Sequence, residues 1–408
     1  MGNDMSYRSR QEYFRTQRDR YRSAPKTEKT QILDEGCALF GLHRKSLIRA
    51  LSAARGAPGK KAGRPRQYGE ELTKHLKRIW LAANQPCSKR LVVMLPEWLP
   101  HYEKRYGVLP PGLRAALLSV SAPTIDRLLA PVRARRRKGL CATQSTARLA
   151  GQIPIRTSFQ KVEGPGWLEA DTVAHGGPSA AGAFVWSVTL TDIWSGWTES
   201  RAVWNKNHRQ IVERVRQIEE GLPFDLVGFD SDNGSEFITR VLLRFLRRRR
   251  VPVEFTRSRP YRKNDNAHVE QRQWTHVRQL LGYDRFEDKR LVARINDLYA
   301  NEWRLMQNFF MASMQLVSKS RQGGRLARHH SAPLTPYERL MRSDKISKEA
   351  KEQLRREYES LDPFALREAL ERKLQGIFRL ARQSAKRKNQ RLAQGRRAAA
   401  TQPQAARI

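Results

Sequence analysis

Residues 167–173 have the sequence WLEADTV, in which a mostly apolar run carries the acidic residue Asp171. A short apolar run that ends in polar residues predicts a buried strand with a carboxylate near its end. A second acidic stretch, FDSDNGSEF at 229–237, places Asp232 where an apolar strand stops at an Asn-Gly turn. Together the two stretches predict a sheet in which two strands carry a carboxylate near their ends.

A third acidic stretch follows a loop rich in Pro, Asn and Asp. It is NAHVEQRQW at 266–274, which carries Glu270 and has helical composition to about Leu281. Hard cations such as Mg²⁺ prefer oxygen ligands and need only one or two carboxylates each when substrate phosphates also bind. Two such ions about 3.5–4 Å apart can stabilise the attacking and leaving oxygens at a phosphorus atom. Three carboxylates from two strand ends and one helix therefore suit a two-metal site that acts on a phosphodiester.

In this order, the three motifs resemble the acidic triad of the DDE-class transposases of bacterial insertion sequences, whose catalytic core is of the retroviral-integrase type. The spacings are 232 − 171 = 61 and 270 − 232 = 38. The second spacing exceeds the family's best-known pattern by two residues, which a longer loop would absorb. The resemblance covers roughly residues 165–300. It implies that Asp171, Asp232 and Glu270 are the catalytic residues and that they hold two Mg²⁺ or Mn²⁺ ions per active site.

The charge of the chain indicates the class of its partner. Its 408 residues include 78 Lys and Arg against 40 Asp and Glu, which gives a net charge of +38. A polyanion would relieve the self-repulsion of such an excess, and DNA is the partner that we expect. A ribosomal or other RNA-binding protein is the alternative, because a basic composition identifies only the class of partner.

Cysteine usage and hydropathy indicate the compartment. Cys37, Cys87 and Cys141 stand far apart in no paired spacing, so neither a disulfide framework nor a zinc site is expected. No apolar run reaches the length of a membrane span, and the amino terminus lacks the apolar segment of a signal peptide. We therefore expect a cytoplasmic, nucleoid-associated protein with no membrane partner.

The amino-terminal residues predict a DNA-binding unit. Residues 1–26 are polar and rich in Arg, which favours a flexible arm that either follows phosphates or serves only solubility. Residues 27–55 have apolar stripes at helical spacing on both sides of Gly41, a pattern typical of a helix-turn-helix. An ordinary helical hairpin with its charges in water is the alternative. The candidate DNA contacts of the second helix are His43, Arg44, Lys45 and Arg49.

Two segments are predicted to be linkers. Residues 56–69 are rich in Gly, Pro, Lys and Arg, and Arg64 and Arg66 suit an extended hook in a minor groove. A plain hinge explains the same composition equally well. Residues 139–165 are rich in Gly, Ser, Thr and Pro and form the clearest domain boundary of the chain.

Between the linkers, residues 70–138 predict a second helical DNA-binding unit. Several apolar stripes recur there at helical spacing, and Ser121 is a suitable N-cap for the last of these helices. The start of that helix resembles a recognition helix, with Thr124 and Arg127 as candidate DNA contacts. A packing domain without base contacts is the alternative.

The order of elements in the acidic region indicates an α/β core. Strand patterns occur at 183–191 and 197–204 after the first strand, followed by a helix at 207–219, a strand at 225–229, a helix at 237–246 and a strand at 251–255. This is the order of the RNase H-like fold, which implies a mixed five-stranded sheet with flanking helices. We thus predict a multidomain chain: α-helical helix-turn-helix units, an α/β RNase H-like catalytic core, and a mostly helical basic C-terminal region.

Changes in composition set the predicted domain limits. Beyond the core we expect an extended strap at 331–342, charged helices at 348–358 and 363–382, and a disordered or DNA-ordered tail. The full division is a basic arm at 1–26, a helix-turn-helix at 27–55, a linker at 56–69, a helical unit at 70–138, a linker at 139–165, the catalytic core at 166–305, the strap and helices at 306–383, and the basic tail at 384–408.

Other residues compete for roles at the site. Glu169, Asp192, Asp230 and Glu236 are acidic neighbours of the motifs, and we favour structural roles for them as strand, turn or cap residues, with Asp230 the strongest competitor. Around the third motif the candidate DNA contacts are Lys263 and Asn264 in the loop and Arg272 and Arg278 on the helix.

The resemblance implies a DNA transposase. Water activated by the metal ions would cleave transposon-end DNA to a 3′-OH, and that hydroxyl would attack target DNA in a second in-line displacement. The implied partners are double-stranded DNA, as transposon ends and target, and further copies of the chain in a homodimer or higher synaptic oligomer. A metal-dependent nuclease without strand transfer, or a non-catalytic DNA-binding regulator derived from a transposase, is the alternative.

Overall fold

Two units, Met1–Gln67 and Tyr68–Ile408, each have a hydrophobic core in the computed structural model. The structure describes residues 7–52, 68–133, 162–179, 181–231, 237, 239–257, 273–322 and 325–400. Within these ranges no single helix has the length and apolar composition to cross a membrane.

The first unit contains three helices, α1 (Tyr7–Ser23), α2 (Lys26–Phe40) and α3 (Arg44–Ser52). The predicted turn is present between α2 and α3, where Gly41 adopts a left-handed conformation with φ of 62°. Glycine tolerates this conformation at little cost, so α2 can end there and the chain can reverse. Leu47 and Leu51 of α3 are buried against Ile32 and Leu33 of α2.

The prediction of a flexible arm at 1–26 was wrong for residues 7–23, which form α1. Phe14 is buried, and its ring lies 5.3 Å from that of Phe40, while the ring of Tyr13 lies 4.9 Å from Phe40. Arg18 Nε also donates to the carbonyl oxygen of Ala50 at 3.0 Å. Tyr13 and Phe14 thus pack α1 against Phe40, and the polar composition of the segment gave no indication of this packing.

The second unit begins with four helices: α4 (Glu70–Ala82), α5 (Ser88–Tyr106), α6 (Pro111–Ser119) and α7 (Ala122–Arg133). The predicted helical stripes are therefore present. These helices do not form a separate hydrophobic core, however. Trp98 of α5 donates to the carbonyl oxygen of Phe310 at 3.4 Å and packs on Phe364. The helical unit predicted at 70–138 shares this hydrophobic core with residues 306–366.

A mixed five-stranded sheet with helices on both faces forms the rest of the core, as predicted. Its strands are β1 (Trp167–Ala174), β2 (Val185–Asp192), β3 (Thr198–Trp204), β4 (Gly228–Ser231) and β5 (Glu254–Arg257). The order is β3-β2-β1-β4-β5, in which β1 is antiparallel to β2, β2 to β3, and β1 is parallel to β4 and β4 to β5. This arrangement is compatible with an integrase-like α/β core.

Helices α8 (His208–Glu220) and α9 (Arg240–Arg247) share one apolar cluster with the sheet. A second cluster joins Val185 and Ala202 of the sheet to three further elements. They are α10 (a π-helical segment Gln273–Arg278 and the turn Gln279–Leu281), α11 (Arg290–Leu298, continued by π-helical segments Tyr299–Trp303 and Met306–Phe310) and α14 (Pro363–Ala400). The five-stranded sheet is thus packed between two layers of helices.

Close contact between β1 and β4 depends on a glycine. Trp167 and Gly228 are paired in the parallel register. A Cβ atom placed on Gly228 would clash with the Trp167 indole. The preceding Gly166 has φ of 117°, and its carbonyl oxygen accepts from the Val227 and Gly228 amides at 2.9 and 3.1 Å. Glycine at both positions lets β1 enter the sheet directly beside β4.

Helices make up most of the described C-terminal region, but it also contains strands that were not predicted. Residues 306–330 include a β-hairpin of β6 (Leu316–Gln322) and β7 (Arg325–His330). The predicted strap at 331–342 ends in a helix, α12 (Pro336–Arg342), because Thr335 and Glu338 form a capping box. The charged helices are present as α13 (Lys348–Glu359) and α14, and α14 continues to Ala400 through most of the predicted tail.

A buried carboxylate closes the turn between β2 and β3. Asp192 is fully buried and accepts from Gly166 N–H at 2.8 Å, and from the Ser195 N–H and hydroxyl at 2.7 and 2.5 Å. Burial raises the pKa of Asp192 from 3.8 to about 6, because the loss of solvent disfavours the charged form more than these hydrogen bonds favour it. The structural role predicted for Asp192 agrees with these contacts.

Asp192 gives a testable pH dependence. Because its folded pKa is raised, the folded state holds a proton that the unfolded state releases, so stability falls as pH rises between about 4 and about 6. We expect the free energy of unfolding of the natural chain to fall by up to about 3 kcal/mol relative to Asp192→Asn across that window, at about 1.4 kcal/mol per pKa unit. Urea unfolding of both proteins at pH values from 4 to 7 measures this. A difference that stays constant with pH would contradict the prediction.

Candidate active site

Asp171 lies within β1, half-buried, between β2 on one side and the end of β4 on the other. Its Oδ1 accepts a hydrogen bond from the Thr172 N–H at 2.6 Å. Leu168 and Ala170 point into the cluster beneath α8 and α9. Because side chains alternate along a strand, Asp171 lies on the opposite face, together with Glu169.

The register between β1 and β4 brings the first two acidic motifs together. Ala170 pairs with Ser231, the last residue of β4, and Asp171 is the next residue along β1. The two strands are parallel, so they continue in the same direction beyond this pair. Asp232 follows Ser231 in the sequence and lies outside the described residues, as does Glu236.

Glu169 and Asp230 pair one step earlier in the same register, and both are buried. The Thr256 hydroxyl of β5 donates to Asp230 Oδ1 at 2.5 Å. This bond satisfies one oxygen of Asp230 within the sheet, which supports the structural role that we favour for it. Glu169 occupies the strand position predicted from the alternation of β1.

A row of hydroxyl side chains crosses the same face of the sheet and was missed in the sequence. Thr189, the partner of Asp171 on β2, shares a hydrogen bond of 3.3 Å with Ser200 on β3, and Thr191 shares one of 3.1 Å with Thr198. The alternating run SVTLT at 187–191 could have revealed it, since every second residue is polar. These hydroxyl groups provide a polar environment for Asp171 on a face of the sheet that is otherwise covered by helices.

His175, at the end of β1, was also missed. Its Nε2 is 2.8 Å from the Ser187 hydroxyl, which is 2.8 Å from the Tyr299 hydroxyl, and its ring stacks on Phe286. Complete burial lowers the pKa of His175 to about 3, and the positive charge of Arg278 acts in the same direction. A neutral imidazole in this position links β1, β2 and α11 rather than titrating near neutral pH.

The third motif ends in a helix that is fixed beside β1. Glu270 lies outside the described residues, together with Lys263, Asn264 and Arg272. Directly after them α10 packs against β1, where Val277 is fully buried and the Trp303 indole N–H donates to the His276 carbonyl oxygen at 2.8 Å. The described part of this segment is therefore held next to the strand that carries Asp171.

Among the described residues no group of three His, Cys, Asp or Glu side chains is placed to hold a metal ion. Of the three predicted ligands only Asp171 is described. Asp171, half-buried on the polar face beside the end of β4, offers carboxylate oxygens of the kind that Mg²⁺ or Mn²⁺ binds.

The candidate DNA contacts are scattered among separate elements. His43, Lys45 and Arg49 are exposed at or near α3, while Arg44 forms an ion pair with Asp34. In α7, Arg127 is exposed and donates to the Thr124 hydroxyl at 3.0 Å. Arg278 is half-buried, with its guanidinium 4.7 Å from the centre of the Tyr283 ring. Arg64 and Arg66 lie outside the described residues.

Comparison of the sequence with known proteins identifies a close relative. The chain is 36% identical over 347 residues to the uncharacterized protein y4rM of Sinorhizobium fredii (strain NBRC 101917 / NGR234). The match spans 83% of this chain and 97% of that protein. No family model matches the sequence.

Two solved structures are similar at low TM-score. The catalytic core domain of BIV integrase is 17% identical and matches 43% of this chain and 93% of its own, with a TM-score of 0.26. The simian T-cell lymphotropic virus intasome in complex with the PP2A regulatory subunit B56 gamma is 11% identical, with 53% and 69% of the chains covered and a TM-score of 0.28.

Proposed function

We propose that this chain, which belongs to the family of the Sinorhizobium fredii protein y4rM, is a DNA transposase with an integrase-type catalytic core. In this proposal it cleaves transposon-end DNA to a 3′-OH in a metal-dependent reaction and transfers that strand into target DNA. The observation that carries the proposal is the parallel register of β1 and β4, in which Asp171 follows the pair formed by Ala170 and Ser231. Asp232 of the second motif follows Ser231 directly in the sequence.

Asp171, Asp232 and Glu270 are the residues proposed to hold the metal ions. Bound ions would supply positive charge that activates water and stabilises the charge that develops at phosphorus. The Thr172 N–H orients the Asp171 carboxylate through its Oδ1. The Thr256 bond to Asp230 and the hydroxyl pairs of β2 and β3 keep the sheet beside Asp171 in one arrangement.

DNA binding is proposed for the helices that precede the core. In the first unit, α3 follows the Gly41 turn and presents exposed Lys45 and Arg49, as a recognition helix does. Arg127 on α7 is the corresponding exposed residue of the second unit. A chain with a net charge of +38 has a strong electrostatic attraction to duplex DNA. Because two element ends must be processed together, we propose a homodimer or larger synaptic assembly.

A joining experiment with the full chain tests the function. Purified protein would be incubated with Mg²⁺ or Mn²⁺, end-labelled duplexes from the DNA that flanks its gene, and a supercoiled target plasmid. We expect metal-dependent nicks at defined positions and labelled strands covalently joined to the plasmid. Cleavage without joining would identify a nuclease instead. Tight binding of the flanking DNA without metal-dependent cleavage would identify a DNA-binding regulator.

A further inference from the structure

The β6–β7 hairpin is a two-stranded ribbon whose strands pack mainly on each other. Val317 is 69% exposed, and Arg328, His329 and His330 are also exposed. A two-stranded hairpin in water is only marginally stable without further packing. The ribbon therefore gains little from the core that its base adjoins.

The base of the hairpin, in contrast, is fixed. The Ser331 N–H donates to the Gln315 carbonyl oxygen at 2.8 Å, and the Gln315 side chain donates to the Trp194 carbonyl oxygen at 2.6 Å. Buried Arg339 binds the Ser195 carbonyl oxygen at 2.9 Å and the Ser313 hydroxyl at 3.0 Å. The hairpin is thus held at the turn between β2 and β3 in a defined position, although its strands are exposed.

Charge along the ribbon has one sign. The sequence has no acidic residue between Glu302 and Glu338, whereas the fifteen residues 316–330, LVSKSRQGGRLARHH, include four Lys and Arg and two His. The register places Lys319 directly opposite Arg328. Like charges at opposed positions destabilise a strand pair. An anionic partner along the ribbon would offset both this repulsion and the lack of packing.

We infer that the β6–β7 hairpin is a DNA-contacting arm that lies along the phosphates of a duplex. Two-stranded ribbons fit the major groove of B-form DNA, which is about 12 Å wide. The major groove of an RNA duplex is deep and narrow and does not admit such an element. Duplex DNA is therefore the partner whose shape and charge the ribbon fits.

The position of the hairpin suits a role at the same substrate as the candidate active site, and to that extent the inference rests on the proposed function. Its base contacts the turn after Asp192, which pairs with Leu168 on β1. Leu168 precedes Asp171 by three residues, a distance of about 10 Å along a strand. One turn of duplex DNA spans about 34 Å, so the base of the arm is close enough to Asp171 for both to face the same duplex.

The test compares two triple variants of the full chain that lose the same charge. One carries Lys319→Ser, Arg321→Ser and Arg328→Ser in the hairpin, and the control carries Lys348→Ser, Arg355→Ser and Arg356→Ser on α13. Affinity for a DNA duplex is measured at several salt concentrations, with an RNA duplex of the same sequence as competitor. A single variant, Arg328→Glu, repeats the measurement with one exposed residue changed, and circular dichroism checks that each protein is folded.

We expect the hairpin variant to bind DNA at least about ten-fold more weakly than the control at low salt. Each lost phosphate contact should also reduce the slope of log affinity against log salt by about 0.9. Equal salt slopes and equal affinities for the two triple variants would contradict the inference that the hairpin contacts DNA. Equal competition by the RNA duplex would contradict it as well. If the natural chain cleaves and joins DNA but the two variants bind alike, only this inference fails. If the natural chain binds no duplex DNA, the proposed function fails as well.

Discussion

Asp171→Asn is expected to abolish metal-dependent cleavage and joining of DNA while leaving DNA affinity within about two-fold of that of the natural chain. The exchange removes one of three proposed metal-binding charges from the polar face of the sheet, and a metal ion contributes several kcal/mol to transition-state stabilisation. At about 1.4 kcal/mol per factor of ten, a loss of at least about 10³-fold in rate follows. The Asn side chain retains an oxygen that can accept from the Thr172 N–H, so β1 should remain intact.

A matched control is Asp344→Asn, which removes an equal charge from an exposed position in the same unit. Its cleavage and joining rates should equal those of the natural chain. Single-turnover assays at saturating DNA measure the rates, and a filter-binding or anisotropy titration measures the affinity. Full joining activity of Asp171→Asn, with the control also active, would exclude Asp171 from the catalytic site.

Arg304→Leu is expected to lower the free energy of unfolding by about 3 kcal/mol, because it removes one of the two guanidinium groups that pair with the buried Glu199 carboxylate and leaves only Arg201. Glu199 on β3 is 2% exposed, and Arg304 Nε lies 2.9 Å from its Oε1. The same guanidinium reaches Glu357 of α13 at 2.8 Å. Arg304 therefore ties the edge strand to the C-terminal helices, and a leucine there would leave both carboxylates without that contact.

Arg355→Leu is the control, since Arg355 pairs with Glu352 at 2.7 Å on the surface of α13, where about half of each side chain is exposed. Screening by solvent limits that loss to less than about 1 kcal/mol. Guanidinium denaturation followed by circular dichroism measures both variants. The double variant Glu199→Leu, Arg304→Leu should lose less stability than the sum of the two single variants, because both single variants remove the same contact between the two side chains. Equal losses for Arg304→Leu and Arg355→Leu would contradict this account of the ion pair.

The sheet and its flanking helices could be predicted because their side-chain patterns are local. Alternation along β2 and the helical stripe of α8 appear directly in the sequence, and both elements lie within about two residues of their predicted limits. The observed limits of an element differ from the predicted ones where contacts with other parts of the chain determine where it begins or ends. Thr239 caps α9 through the Leu242 N–H at 3.2 Å, which moves the start of that helix beyond the predicted residue 237.

Packing between distant segments could not be predicted from local patterns. Trp98 and Phe310 share a core across more than 200 residues, and no periodicity in either segment indicates the other. The helix α1 was missed for the same reason, since Phe14 stands among polar neighbours. At the candidate site, the sequence indicated Asp171 through its motif. The hydroxyl row opposite it went unrecognised because single Ser and Thr residues are common in strands.

The distance between β1 and β4 depends on the pairing of Trp167 with Gly228. The indole occupies the volume that any larger residue at 228 would need. The separation of β1 and β4 therefore depends on the absence of a side chain at residue 228, three residues before Ser231. One added carbon atom there would displace Trp167 or β4 and so shift Ser231 relative to Asp171, without changing any acidic residue or the charge of the chain.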